Sequence, residues 1–342
     1  MNIPRALLLI PLAASMPACS RRHAPVVRET SAMDTYVTIS VFDQEIPEKA
    51  VNTLIDSAFG EIRRVEAFAS DYIDSSEIGR ANRRAGTDSL EISAELAALL
   101  RRSLAYSDSS GGAFDVTVGP LETLWNILGA HPRVPPADSI RDALRLVGYR
   151  LLRLHGRMLY LPRRGMHVDL GAIGKGYAAD RAMDLIARGG VTKAIVDMGG
   201  NLAIRWPGAA GWENAVATIS VRHPRIEGSF LGTFRYGTGG VSTSGDYERC
   251  FILDGVRYHH IMDPATGAPA RGVVSVTIVA PNATDADAIS TTVFVLGRHK
   301  GMAFMRRLPG VDGFIVYEQG DSLAIDYSPG FLGRLDRGSA HD

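Results

Sequence analysis

Between Tyr36 and Phe42, aromatic or β-branched residues alternate with Thr and Ser. That period of two sets one face of a strand against a core. The period then changes. From Glu48 to Phe68 the apolar positions Val51, Leu54, Ile55, Ala58, Ile62 and Val65 recur at helical spacing and predict an amphipathic helix. A second helix is expected over Ser93–Ser107, with Ser93 as N-cap and Glu95 in the first turn. Gly111-Gly112 ends that region, and Pro132–Pro136 reads as a surface connection. Asp138–Val147 reads as a helix with Gly148 at its end, and Leu151–Leu154 with Met158–Leu161 as a hairpin. Around Val168 a buried strand end is expected, then a glycine-dense turn, then a helix over Lys175–Arg188 closed by Gly189-Gly190. Strands follow at Ala194–Asp197, Leu202–Trp206, Ala217–Val221, Gly232–Tyr236, Arg249–Leu253 and Val273–Ala280, then a helix over Asp285–Leu296 and a late strand at Gly313–Tyr317. Strands broken by helices without strict alternation predict an α+β fold, with mixed or antiparallel sheets and packed helices, rather than a doubly wound sheet.

The N-terminus departs from this pattern. Arg5, the apolar run Ala6–Ala14, and small residues ending in Cys19 form a secretory signal pattern over residues 1–19. Met16-Pro17-Ala18-Cys19 resembles a lipoprotein processing site, with Met16 where Leu is preferred and an unusual Pro17. Residues 20–30 are polar and basic and read as a tether, which leaves 31–330 for the folded domain. No later apolar run is long enough for a membrane-spanning helix. The 342 residues include 37 basic and 37 acidic side chains, a balance that gives no support to nucleic-acid binding. If Cys19 is processed, Cys250 has no intramolecular partner; its apolar neighbours Phe251-Ile252-Leu253 mark it as a buried small hydrophobe.

Candidate chemistry concentrates in three places. In Val168–Asp180, Gly171, Gly174 and Gly176 surround a helix start and Lys175 adds a positive charge, a pattern suited to phosphate. The order G-x-x-G-x-G is neither a Walker loop, since Tyr177 offers no magnesium-binding hydroxyl, nor the dinucleotide fingerprint G-x-G-x-x-G. Taken alone it reads equally as a tight turn needing glycine for packing. Asp287 and Thr291 are four apart and share a helix face, where two oxygens can meet one hard cation. The alternative makes Asp285 or Asp287 a helix N-terminal acid and Thr291 an ordinary buried residue. His260 precedes the turn signals Asp263-Pro264 and Thr266-Gly267 and is a candidate general base or ligand contact, or else structural.

These segments occur in order with Gly112–Leu121, Asp197-Met198-Gly199-Gly200-Asn201 and Thr243-Ser244-Gly245-Asp246-Tyr247. The set resembles the ApbE family of FAD:protein FMN transferases, from about Met33 to about Tyr317. The resemblance implies an ApbE-like fold and a magnesium-dependent enzyme that moves the FMN part of FAD onto a threonine of an acceptor flavoprotein, releasing AMP. It implies magnesium ligands at Asp287, Thr291 and the backbone carbonyl of Ala172, with Thr284 as a further candidate. It implies flavin-nucleotide contacts at Met33, Tyr72, Ala113, Phe114, Asp115, Asp169, Lys175, His260 and Ile261. Catalytic roles would fall to His260, Lys175 and Asp287. For Tyr72 and Phe114, core packing is the competing reading. The chain has Met33-Asp34-Thr35 where the family has M-G-T, so Asp34 replaces a glycine. Family members are often exported lipoproteins, so a lipid anchor on Cys19 at the periplasmic side of the inner membrane is expected, the alternative being a soluble periplasmic protein. Two other functions fit the same residues: FAD hydrolysis to FMN and AMP, and flavin carriage without turnover.

Overall fold

The computed structural model describes residues 24–130, 132–207 and 217–333. The signal-like segment with Cys19, and the tether as far as residue 23, lie outside them. The elements in chain order are β1 (Val26–Ala32), β2 (Thr35–Val41), α1 (Glu48–Ala69), α2 (Glu77–Arg83), β3 (Leu90–Glu91), α3 (Ala94–Ser110), α4 (Gly119–Trp125), α5 (Ala137–Leu144), β4 (Arg153–His155) and β5 (Met158–Tyr160). Then come α6 (Gly171–Arg188), β6 (Ala194–Met198), β7 (Asn201–Arg205), β8 (Ala217–Arg222), β9 (Phe230–Tyr236), β10 (Gly239–Gly245), β11 (Cys250–Leu253) and β12 (Val256–His259). The chain continues through β13 (Ser275–Ala280), α7 (Ala283–Met305), β14 (Asp312–Gln319), β15 (Ser322–Tyr327) and α8 (Pro329–Leu332).

Eight strands make one sheet in the order β1-β2-β6-β7-β10-β13-β14-β15, and every neighbouring pair is antiparallel. The α+β expectation is met. Alternation along β13 shows how the sheet divides its two faces. Val276, Ile278 and Ala280 pack with Ile289, Val293 and Phe294 of α7. Val279, on the opposite face, joins Phe234 of β9 and Phe331 of α8. A third, larger core joins Val37 and Ile39 of β2 and Val196 of β6 to Ile55 and Ile62 of α1 and Ala178 and Ala182 of α6. Helices α1, α6 and α7 thus cover one face, and the β8–β9 hairpin with α8 covers part of the other.

Three expectations need correction. Residues 26–30, expected in the tether, belong to β1, which pairs with β2 from Val26↔Val41 to Ala32↔Thr35. As an edge strand it buries little and carries Arg28 and Glu29, so its apolar alternation is faint. The glycine-dense segment is not a turn before the helix: α6 already begins at Gly171, so Gly171, Gly174 and Gly176 lie in its first two turns. Nor is there a strand at Val168. Its N–H donates to Asn82 Oδ1 at 2.8 Å, and its carbonyl accepts from Asn82 Nδ2 at 3.0 Å. A side-chain amide stands in for a strand neighbour. Helix α7 breaks at Gly297 (φ 76°, ψ 178°), right after the expected end at Leu296.

Candidate active site

The site is built around the crossing of α6 and α7. A Cβ on Gly176 would lie 2.2 Å from the Ala283 carbonyl oxygen and 2.8 Å from Asp287 Cβ. Only glycine lets the helices approach this closely. The approach brings Gly176 N–H to 2.9 Å from Asp287 Oδ2, to which it donates. Asp287 is only 3% exposed, and burial pushes its carboxyl above the usual range, opposed by the Lys175 charge and the Gly176 N–H. Thr291, one turn along the same face, is half-buried. Lys175 Nζ donates to the Gly171 carbonyl at 2.5 Å, so its charge is held over the α6 N-terminus. The half-buried Ala172 lies in that same first turn.

The two acids of α7 have separate tasks. The Asn282 side chain caps α7 by accepting from Asp285 N–H at 2.9 Å. Asp285 in turn accepts from Arg102 Nε at 3.0 Å and from the Tyr106 hydroxyl, both on α3. Asp285 is therefore the helix-terminal acid, and Asp287 is the one turned to α6. Thr284, a further ligand candidate, donates its hydroxyl to Asp180 Oδ2 at 2.5 Å. Asp180 also accepts the N–H groups of Ala283 and Thr284, at 2.9 and 2.8 Å, and so secures the α7 N-terminus.

Asp169, an expected flavin contact, stands beside Lys175 in a group with two carboxyls that the sequence did not single out, Glu122 and Asp71. Asp169 Oδ1 accepts from Gly171 N–H at 2.6 Å, across the helix start. Burial pushes Glu122 of α4 well above the carboxylate range, and the neighbouring Asp169 and Asp71 add to that. Burial also works to raise Asp169, but the hydrogen bond from Glu122, the Gly171 N–H and Lys175 outweigh it and hold it low. The pair therefore carries a proton on Glu122 and a charge on Asp169. Asp71 is raised by burial, despite His167 Nε2 at 3.1 Å from its Oδ2. Tyr72, next to Asp71, is 76% exposed. Its ring is free to stack on a planar ligand, so it does not serve as core.

His260 and its neighbour divide their roles. His259 is buried, with Nε2 2.9 Å from the Ala270 carbonyl and Nδ1 accepting from Ile261 N–H at 3.3 Å. It is a structural histidine. His260 is half-buried and its Nδ1 is buried with no partner. Burial, then the charges of Lys175 and Arg249, push it down to about 3, so it is neutral at neutral pH. Its backbone N–H donates to the Arg249 carbonyl at 3.1 Å. Arg249 also bonds the Asp34 carboxylate at 2.7 Å and the Asp34 carbonyl at 2.9 Å. Met33 and Asp34 form the β1–β2 turn with φ of 52° and 55°. Glycine would take this left-handed backbone freely; here Glu66 Oε1, accepting from Met33 N–H at 2.6 Å, and Arg249 secure it.

The Gly112–Leu121 segment behaves differently. Phe114 is in the core, 5.9 Å from the Tyr106 ring centre. Asp115 accepts from Thr117 N–H and Oγ1 and from Tyr149 N–H, at 2.6–2.8 Å. Both side chains are occupied internally, with the half-buried Ala113 beside them. Ile261 is also buried, its carbonyl accepting from Ala270 N–H. The structure thus brings Asp169, Lys175 and Asp287 together about the α6 start and sets the charges of Lys175 and Arg249 beside His260. It keeps Phe114 and Asp115 as supports.

Comparison with known proteins identifies relatives over most of the chain. The model of the ApbE family matches residues 33–315. A protein of Treponema pallidum named FAD:protein FMN transferase is 35% identical over 311 residues, covering 85% of each chain. Its namesake in Escherichia coli K12 is 30% identical, covering 92% of this chain and 91% of that protein. The crystal structure of the ApbE protein of Thermotoga maritima superimposes with a TM-score of 0.81 at 34% identity, covering 92% of this chain and all of that one (100%). The flavin transferase ApbE of Vibrio cholerae does so with a TM-score of 0.78 at 28% identity, over 91% and 99%.

Proposed function

The chain belongs to the ApbE family and is a transferase of its flavin-transferring kind, and on that premise we propose that it moves the FMN moiety of FAD onto a threonine of an acceptor flavoprotein, with magnesium, releasing AMP. The observation that carries this reading is the α6–α7 crossing, where a buried carboxylate, a lysine and a helix N-terminus meet. The donors fit a hard cation. Asp287 is buried with an N–H on one oxygen, Thr291 offers a hydroxyl on the same face, and Ala172 offers a carbonyl. Magnesium held by these three would screen the pyrophosphate charge.

The remaining chemistry falls to side chains. The α6 N-terminus and Lys175 receive the pyrophosphate, and Lys175 offsets the charge that grows on the leaving AMP phosphate. The acceptor hydroxyl oxygen bonds to the FMN-side phosphorus, and the phosphorus–oxygen bond to AMP breaks. His260, neutral in the free enzyme, accepts the hydroxyl proton. A dianionic substrate would offset Lys175 and Arg249 and so raise the histidine's proton affinity, against the larger effect of burial. Asp169, kept charged while Glu122 is neutral, is suited to accept hydrogen bonds from the flavin nucleotide. Tyr72 offers an exposed ring to the isoalloxazine.

The test incubates the purified chain with FAD, Mg²⁺ and an acceptor flavoprotein, and reads the acceptor's intact mass. An FMN adduct with one AMP per adduct is expected, and Asp287→Ala should abolish it. AMP and free FMN without adduct would make the chain a FAD hydrolase; FAD binding without AMP would make it a carrier. We also place the enzyme outside the cytoplasm, anchored by a lipid on Cys19. An acyl group on the mature N-terminus supports that placement, and an unmodified N-terminus overturns it.

A further inference from the structure

Two segments remain without a role: Asp197–Asn201 at the β6–β7 turn and Thr243–Tyr247 at the end of β10. The structure joins them to α7 by a line of short polar contacts. Ser242 Oγ donates to Asn201 Oδ1 at 2.6 Å. Ser242 and Ser290 hydroxyls are 3.0 Å apart, Ser290 and Ser244 are 2.8 Å apart, and Ser244 and Thr291 are 3.4 Å apart. Asn201, Ser242 and Ser290 are buried, whereas Ser244 and Thr291 are half-buried. The line runs from the interior to the face that carries Asp287.

Counting protons fixes its direction, because a hydroxyl has one proton to give. Asn201 Nδ2 donates to the Met198 carbonyl at 3.4 Å, so its Oδ1 faces Ser242 and can only accept. Ser242 has therefore spent its proton on Asn201, and its contact with Ser290 needs Ser290 as donor. The Ser290 proton is shared between Ser242 and the Asp287 carbonyl, 2.9 Å away. Neither place is Ser244, so Ser244 donates to Ser290. Ser244 can then only accept from Thr291. Thr291 thus gives to Ser244 and Ser244 to Ser290, Ser290 divides its proton between the Asp287 carbonyl and Ser242, and Ser242 gives to Asn201.

We propose that this hydroxyl relay is a positioning device for the cation site. It draws the Thr291 proton back toward Ser244 and leaves the Thr291 oxygen lone pairs facing the site. Without the relay, the Thr291 hydroxyl turns freely and a proton can point at the cation. The Asn201 amide is the terminus that sets the direction, and Ser290 is the link between strand and helix. The inference rests on reading Asp287 and Thr291 as cation ligands.

The experiment titrates Mn²⁺ into the purified chain by calorimetry, with thermal midpoints recorded for every variant. Loss of an outer hydrogen-bond partner of a metal ligand weakens affinity about ten- to a hundredfold. Ser244→Ala and Ser290→Ala should each weaken Mn²⁺ binding by about tenfold or more, at the lower end of that range. Ser244→Thr, which keeps a hydroxyl, should restore it. Thr243→Val is the control, since Thr243 pairs with Thr277 outside the relay at 2.9 Å, and it should leave affinity unchanged. Wild-type affinity in Ser244→Ala and Ser290→Ala, with folds intact, overturns the relay. If buried Ser290→Ala does not fold, half-buried Ser244→Ala decides alone. A separate pair, Asp287→Ala and Thr291→Val, tests the underlying reading: wild-type affinity in both removes the cation site, and the relay's purpose with it.

Discussion

Gly176→Ala is the substitution that most sharply tests the α6–α7 crossing. The added methyl would sit 2.2 Å from the Ala283 carbonyl oxygen, 2.7 Å from its carbon and 2.8 Å from Asp287 Cβ. An ordinary contact is about 3.5 Å or more, so the helices must part by roughly 1 Å. Two of the three obstructing atoms are backbone, so no rotamer change relieves the clash. Overpacking of this kind costs about 1–3 kcal/mol. The 2.9 Å bond from Gly176 N–H to Asp287 would stretch beyond hydrogen-bonding range. A bond to a charged group contributes about 1.5–3 kcal/mol. Better helix propensity returns about 1 kcal/mol. The balance is a loss of about 1.5–5 kcal/mol, on the order of 2–7 °C in melting temperature for a chain of this size. Gly60→Ala in α1 is the matched control, because nothing lies within 4 Å of its added methyl; it should stabilise by about 0.5–1 kcal/mol. Thermal melts by circular dichroism and single-turnover flavin transfer measure both. A Gly176→Ala protein that melts with wild type and keeps its rate would refute the close crossing as the support of Asp287.

Four further outcomes follow from the charge pattern. His260→Gln should slow single-turnover transfer by about a hundredfold to ten-thousandfold with little loss of FAD binding; an unchanged rate makes His260 structural. In the wild type, kcat/KM should show no inflection near pH 6.5, because His260 stays neutral down to about 3. Burial pushes His259 and His260 down to about 4 and about 3 in the fold, against about 6.5 when unfolded. The unfolded chain thus binds more protons between those limits, so their contribution to stability falls as pH drops through that window; His260→Gln should flatten the melting-temperature profile between pH 6.5 and 4.5, and an unaltered slope counts against the assignment. Glu122→Gln should leave FAD binding near wild type, because glutamine imitates the protonated acid, whereas Asp169→Asn should weaken it; loss in Glu122→Gln with binding kept in Asp169→Asn would place the charge on Glu122 instead.

Much of this was readable where one element carries its own period. The α1 stripe and the β2 alternation stand in continuous sequence, and the structure places Val51, Ile55 and Ile62, and Val37 and Ile39, in one core. Strand β1 was hidden because an edge strand buries too little to show alternation, and charged residues suit it. The acidic group was hidden for another reason. Asp71 follows α1 and Glu122 lies in α4, so only the fold brings them to Asp169 at the start of α6. Asp169 stands out through the resemblance, whereas Asp71 and Glu122 alone are unremarkable acids. The hydroxyl relay escaped notice in the same way: serines on β10 and α7 are ordinary until β10 is laid beside α7.

The Asp285–Asp287 ambiguity shows where the boundary lies. Two residues apart on a helix means about 200° apart around its axis, so the two acids cannot face the same neighbour. Residues four apart do share a face, so whichever acid faces a site, only Asp287 takes Thr291 with it. Sequence therefore fixes the partnership but not which side of the helix meets the site. That choice is made by two distant contacts. Arg102 and Tyr106 of α3 claim Asp285, and the missing side chain at Gly176 admits α6 to Asp287. A positive and a hydroxyl donor on one flank, and a buried backbone N–H with Lys175 on the other, assign the same residue type two chemistries. The capping acid is neutralised by an ion pair and is lost to catalysis, while the buried one keeps an oxygen for a ligand.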